Sequence, residues 1–205
     1  SNTHQLYIAI CNENLGNAFF DLKENNQALK HFKAALKFYE NNDVEPILIA
    51  NTYSNIGNIY KSSNNFNSAL EQYTLALDVI GNKNLYISEK IGVLNSIGDV
   101  YIDLDNLEKA KQYIDSSLYL SKENGGNRYI KSNYESLVKL YSKQNDYEKA
   151  FENLQFLKGI EDSFYEPEVL ERIARIQKDF DLEVSERDNI LKIKLLESEK
   201  DIFWY

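Results

Sequence analysis

The feature that most constrains this chain is a repeat. The pair Leu15-Gly16 returns as Ile56-Gly57, Ile97-Gly98 and Leu137-Val138, at intervals of 41, 41 and 40 residues. A fixed period of this size marks stacked helical hairpins, each too small to bury its apolar face alone. The unit is clearest where Asn51–Tyr60 is followed by Asn65–Leu77.

Each unit reads as two helices. The first carries Leu15-Gly16-x-x-Phe19, Ile56-Gly57-x-x-Tyr60, Ile97-Gly98-x-x-Tyr101 and Leu137-Val138-x-x-Tyr141. The second carries Ala28-x-x-x-Phe32-x-x-Ala35, Ala69-x-x-x-Tyr73-x-x-Ala76, Ala110-x-x-x-Ile114-x-x-Ser117 and Ala150-x-x-x-Leu154-x-x-Leu157. Spacings of three and four residues set the large side chains on one helical stripe. A glycine in mid-helix costs about 1 kcal/mol relative to alanine, so its recurrence calls for a partner helix at close range. The alanines are the expected small surfaces opposite. Val138 and Leu157 depart from this scheme and predict a fourth hairpin that is splayed or packed differently.

Punctuation agrees with the period. Asn25-Asn26, Asn64-Asn65, Asp105-Asn106 and Asn145-Asp146 fall between the paired helices, where Asn and Asp suit a tight turn and an N-cap. Asn41-Asn42, Gly81, Gly125-Gly126 and Gly159 are the expected stops of the second helices. Pro46 and Pro167 are placed as first-turn prolines of the helices that follow.

Composition narrows the function. A net charge of −9 and a pI near 4.9 exclude broad nucleic-acid binding, which needs concentrated positive charge, and favour basic partners only weakly. The single cysteine, Cys11, rules out an intrachain disulfide, leaves the compartment open and reads as a buried small hydrophobe. The chain contains no methionine, and residues 1–5, beginning Ser1-Asn2, read as a tag remnant or a frayed start. No apolar run approaches the ~18 residues needed to span a bilayer.

Catalytic groupings are missing. His4 lies in the frayed start, His31 reads as a helix-boundary residue beside Phe32, and neither stands near Cys11 at a motif spacing. Phosphate loops and nucleophile elbows are absent, and Gly125-Gly126 is a helix stop. The sequence therefore predicts no catalytic residue, no metal site and no cofactor.

What remains is a polar stripe on the first helices. It runs through Glu13, Asn14, Asn17 and Asp21, then Asn51, Ser54, Asn55 and Asn58. It continues through Asn95, Ser96, Asp99 and Asp103, and ends in Glu135, Ser136, Lys139 and Lys143. Asn disfavours helix interiors, and its side chain both donates and accepts, which suits holding an extended peptide backbone. The candidate binding residues are Asn14, Asn17, Asn51, Asn55, Asn58, Asn95, Asp99 and Lys139. With 24 Asn among 205 residues, a plain solvated surface is the competing reading.

Beyond residue 160 the repeat stops. Residues 161–205 read as one long helix from about Glu166, with acid-before-base pairs such as Glu168→Arg172 and Glu183→Arg187 at i,i+4. It caps the array, then either pairs in a coiled coil or lies back along the array. The closing Ile202-Phe203-Trp204-Tyr205 reads as a hydrophobic plug or as the edge of a membrane segment beyond Tyr205.

The motifs over residues 6–160 resemble those of the tetratricopeptide repeat family, with Tyr53 where Trp is common, a longer period and no late proline. The resemblance implies an all-α fold, a right-handed superhelix of four helical hairpins followed by one long C-terminal helix. In peptide-binding members the stripe above lines the concave face, so the implied partner is a peptide or protein ligand. The order of parts is similar to the sensor regions of Bacteroidetes-type signalling proteins, whose repeats stand on the periplasmic side of the inner membrane ahead of a histidine kinase or DNA-binding module. A homodimer through the C-terminal helix fits that arrangement. A soluble scaffold, or a cytosolic peptide-responsive regulator without a membrane link, is the alternative.

Overall fold

The structure, a computed structural model, describes residues 2–81, 84–124 and 127–161, and beyond them 175–176, 178–187, 189–190 and 192. Every regular element among these residues is helical: α1 (Asn2–Asp21), α2 (Asn25–Glu40), α3 (Pro46–Ser62), α4 (Phe66–Ile80), α5 (Ile87–Asp103), α6 (Leu107–Glu123), α7 (Asn127–Lys143) and α8 (Tyr147–Glu161), with a 3-10 turn at Asn84–Tyr86. The chain is all-α, as the period requires. It divides into two compact units, Ser1–Ser136 and Leu137–Tyr205, with the boundary inside α7.

In the first unit α1 pairs with α2, α3 with α4 and α5 with α6, while α2 lies on α3 and α4 on α5. The glycines explain the pairing. A Cβ on Gly16 would stand 2.8 Å from the Phe32 ring, one on Gly57 2.6 Å from the Tyr73 ring, and one on Gly98 2.6 Å from Ile114. Real Cβ contacts are not that short, so each glycine is a notch into which the large residue of the partner helix sinks. At Gly16 and Gly57 the nearest atoms are those of a ring, whereas at Gly98 the expected alanine is also at hand, with the Ala110 carbonyl 3.3 Å away; Ala28, Ala69 and Ala110 are fully buried. Between hairpins, Phe32 and Leu36 of α2 cluster with Ile56 and Ile59 of α3. Tyr73 and Ala76 of α4 cluster with Val93, Ile97 and Val100 of α5.

One turn design recurs. Asn64 has φ 57° and its N–H reaches the Lys61 carbonyl at 3.0 Å, while the Asn65 N–H reaches the Tyr60 carbonyl at 2.8 Å. This pair of bonds closes α3, and the Asn65 side chain then accepts from the Ser68 N–H to open α4. Asp105-Asn106 and Asn145-Asp146 do the same, with φ 60° and 57° at the first residue and caps on Lys109 and Lys149. The first hairpin departs from expectation. Asn25 and Asn26 lie inside α2, and the turn falls on Lys23 (φ 61°) and Glu24, which provides no side-chain cap.

The other stops agree in part. Gly81 ends α4 at φ 58° and Asn41 ends α2, both where expected, though Asn41 has φ −97° and is not left-handed, whereas Gly159 lies within α8 rather than after it. Gly125-Gly126 and Pro167 lie outside the described residues, whereas Pro46 opens α3 as expected. Cys11 is exposed, not buried, and among the described residues no helix covers that side of α1.

In the second unit Leu137, Val138, Leu140, Ala150, Leu154 and Leu157 are buried, so Val138 and Leu157 serve as core despite breaking the small-residue pattern. Phe180 stacks on Phe151 of α8 at 5.7 Å between ring centroids. The described residues of the C-terminal segment are helical, and the rest of it, with Ile202–Tyr205, lies outside the description.

Candidate functional site

Seven of the eight residues expected to form the site lie in the first unit; Lys139 is exposed on α7 in the second. The seven share one face of the first helices, beside the glycine notches, since Asn17, Asn58 and Asp99 each follow a notch glycine. Asn55 Nδ2 donates to Asn17 Oδ1 at 3.3 Å, which sets the stripes of α1 and α3 side by side. Asn14 lies one turn before Asn17, and Asn51 one turn before Asn55, so the four amides form a patch. Asn14 and Asn17 are exposed, and Asn51 and Asn55 are half-buried. Neither the Asn14 nor the Asn51 side chain has a hydrogen-bond partner among the described residues.

The other three are committed to structure. Asn58 Oδ1 accepts from the Tyr73 hydroxyl at 2.6 Å. Asn95 Nδ2 donates to Asn133 Oδ1 at 3.0 Å and to Ser136 Oγ at 3.1 Å. Asp99 takes Lys61 Nζ at 2.7 Å on one oxygen and the Ser136 hydroxyl at 2.7 Å on the other. Asn133, fully buried, completes this network by donating to Ser121 Oγ and to the Tyr129 carbonyl. The stripe is thus open at Asn14, Asn17, Asn51 and Asn55, closed at Asn58, and bonded from repeat to repeat on α5 and the start of α7.

Sequence reasoning missed Lys61 and Asn133. Their signal was there, since Asn17–Asn55, Lys61–Asp99 and Asn95–Asn133 are each 38 residues apart. That is the repeat period less one helical turn, the offset at which neighbouring first helices touch.

Electrostatics around the patch follow from burial. Desolvation lifts the Glu13 carboxyl above its ordinary range, opposed by the bond it accepts from the Tyr39 hydroxyl at 2.9 Å. The Tyr73 phenol is raised chiefly by desolvation, with Asp99 adding to it. Burial and the hydrogen bond to Glu40 push Tyr53 up to about 12. His31 is a boundary residue, stacked on Phe19 and bonded to Asn12 at 2.9 Å. Among the described residues no group of three His, Cys, Asp or Glu converges as a metal site, and no helix is long and apolar enough to cross a membrane.

Comparison with known proteins names the repeat. Tetratricopeptide repeat models match residues 5–80 and 91–124. Together they cover more than half of the chain, which belongs to the tetratricopeptide repeat family. Comparison with curated protein sequences yields no match. Among solved structures, the chain is similar to BtubC from P. vanneervenii (TM-score 0.69, 19% identity, 80% of this chain and 69% of that one). It is also similar to the Rap conjugation gene regulator of plasmid pLS20 in complex with the Phr* peptide (0.73, 17%, 85% and 49%) and to apo RapI (0.72, 16%, 82% and 46%). The chain spans about half the length of either Rap structure. At these identities the likeness is one of fold.

Proposed function

We propose that this chain is a non-catalytic peptide- or protein-binding module, and that its ligand lies along the open amide patch of Asn14, Asn17, Asn51 and Asn55. The observation that carries the reading is the pair of unpartnered amides, Asn14 and Asn51, beside the loosely bonded pair Asn17 and Asn55. Each free amide presents two donors and an acceptor, enough to satisfy a peptide bond without reading its side chain. The likeness to a Rap regulator solved with a peptide supports this reading.

The test is selection of short random peptides on the immobilised chain, then titration of the retained peptides. The Asn14→Ala/Asn51→Ala pair is expected to weaken them about tenfold or more, the loss of one or two hydrogen bonds. Retained peptides that bind the double variant as tightly as the parent would sink the reading.

The finer proposal is that the module is the sensor or interaction region of a bacterial signal-transduction protein, on the periplasmic side of the inner membrane, relaying its state through the segment after α8. The order of parts, array then charged helix, supports it. Sedimentation with and without residues 181–205 tests dimerisation through that segment, which should be lost on truncation. Reporter fusions of the natural gene test the compartment. A second reading, a peptide-responsive regulator with no membrane link, is favoured by the Rap likeness.

A further inference from the structure

Ile8, Cys11, Leu15, Ala18 and Leu22 are spaced three and four apart and form one stripe along α1 and just past its end. All five are exposed, Ile8 at 49%, Leu15 at 46% and Leu22 at 68%. At the three central positions the same register is core in the two following repeats, whereas the counterparts of Ile8 (Ile49, Lys90) are half-buried and those of Leu22 (Ser63, Leu104) are exposed. Cys11 corresponds to Thr52 and Val93, which are 0% and 4% exposed. Leu15 corresponds to Ile56 and Ile97, at 2% and 3%, and Ala18 to Ile59 and Val100, at 3% and 0%. What covers those positions is known: α2 lies over Ile56 and Ile59, and α4 over Val93, Ile97 and Val100. A cleft of about 570 Å³ opens beside the stripe, between Ile8 and Asn12 of α1 and Ala34 and Phe38 of α2.

We propose that the α1 stripe is a repeat-to-repeat interface, and that its occupant is an amphipathic helix of the α2 and α4 kind, contributed by a further repeat stacked ahead of α1. Two interfaces of this register are already present in the molecule, and the stripe continues their series by one step. Its residues are uncharged, and the large ones at 8, 15 and 22 recur at the heptad spacing that a facing helix requires. Solvent gives no reason for that spacing. Repeat arrays bury such faces by stacking or end them with a polar one, and this face is not polar.

Cys11, the single thiol, reports directly on the stripe. Residues 24–45, which hold α2 and its link to α3, are fused ahead of Gln5, so the fused helix meets α1 in the register of α2 with α3. A parallel fusion uses residues 65–86 and carries α4. In each, alkylation of Cys11 by N-ethylmaleimide is expected to slow about tenfold or more against the unmodified chain, as for any group whose exposure needs local opening. Leu15→Asp should restore fast alkylation in the fused chains, yet leave the melting of the unmodified chain unchanged. Undiminished Cys11 reactivity in both fusions overturns the proposal. So does an unmodified chain that sediments as a dimer with Cys11 already protected, which would assign the stripe to a second copy.

Discussion

The polar faces of α1 and α3 differ from those of α5 and the start of α7 in one respect: who satisfies them. On α1 and α3 the amides of Asn14 and Asn51 are left open, and Asn17 meets Asn55 only at 3.3 Å. On α5, Asn95 and Asp99 are locked by Asn133, Ser136 and Lys61 at 2.7–3.1 Å. One stripe, with similar residues in each repeat, leaves side-chain amides open in one region and binds neighbouring helices in the other. Residue type on a repeat face therefore does not decide its role; the side chain one period less one turn away does.

The two regions share the glycine notch, and that shared lock sets the largest expected effect. Gly57→Ala and Gly98→Ala should each cost about 2–3 kcal/mol, since the added methyl overlaps a buried side chain. Gly159→Ala, where nothing lies within 4 Å, should stabilise by up to about 1 kcal/mol. Chemical denaturation of the three variants checks this. Equal, mild effects at all three would remove the common scaffold on which the comparison rests.

The comparison itself is broken or sharpened by Asp99→Ala. It leaves Lys61 and the Ser136 hydroxyl without their carboxylate and should cost about 2 kcal/mol. A cost near zero would mean that the bonded region is no more structural than the open one.

Alkaline pH probes the boundary of the two, at Tyr53 and Tyr73. Both phenols are raised mainly by desolvation, so the folded chain holds their protons where the unfolded chain has released them. The stability they support is complete below the ordinary phenol value of 10.0 and is lost as pH rises through the raised one, about 12 for Tyr53. Denaturation midpoints should fall across that window, and less steeply in Tyr73→Phe. An unaltered slope would remove Tyr73 from the account.

Smaller again is the first turn. Lys23→Asn with Glu24→Asn copies the turn of the second hairpin and should gain about 1 kcal/mol, by relieving a left-handed lysine and adding an N-cap. Smallest of all, Asn14→Ala and Asn51→Ala should each shift stability by less than about 0.5 kcal/mol. A large loss there would move these residues into the structural class.

The hairpins, their period and three of the four turns were legible because each depends on residues close in sequence. Gly16, Gly57 and Gly98 announced a close approach, though not that the large residue of the partner helix, Phe32, Tyr73 or Ile114, sinks into it. The first turn misled, since Asn25-Asn26 looks like the other asparagine turns while the backbone reverses two residues earlier. Gly159 misled for a similar reason, as a helix tolerates a glycine that local pattern reads as a stop. Of the candidate site, Asn14, Asn17, Asn51 and Asn55 have the exposure expected of a contact face. Asn58, Asn95 and Asp99 are engaged by partners on other helices, a matter of offset between neighbours that composition does not reveal. Cys11, expected to be buried as a small hydrophobe, is exposed, and no helix in the described structure lies over it.

The shared turn has a consequence for where the chain tolerates editing. At Asn64-Asn65 one residue ends a helix and the next begins another, leaving no slack between them. A single extra residue there would rotate the second rod by roughly 100° and drag Tyr73 out of its notch. The connection at 41–45 carries no such double duty. Tags, cut sites and permuted ends belong in that joint, and the elbows inside each hairpin should be left untouched.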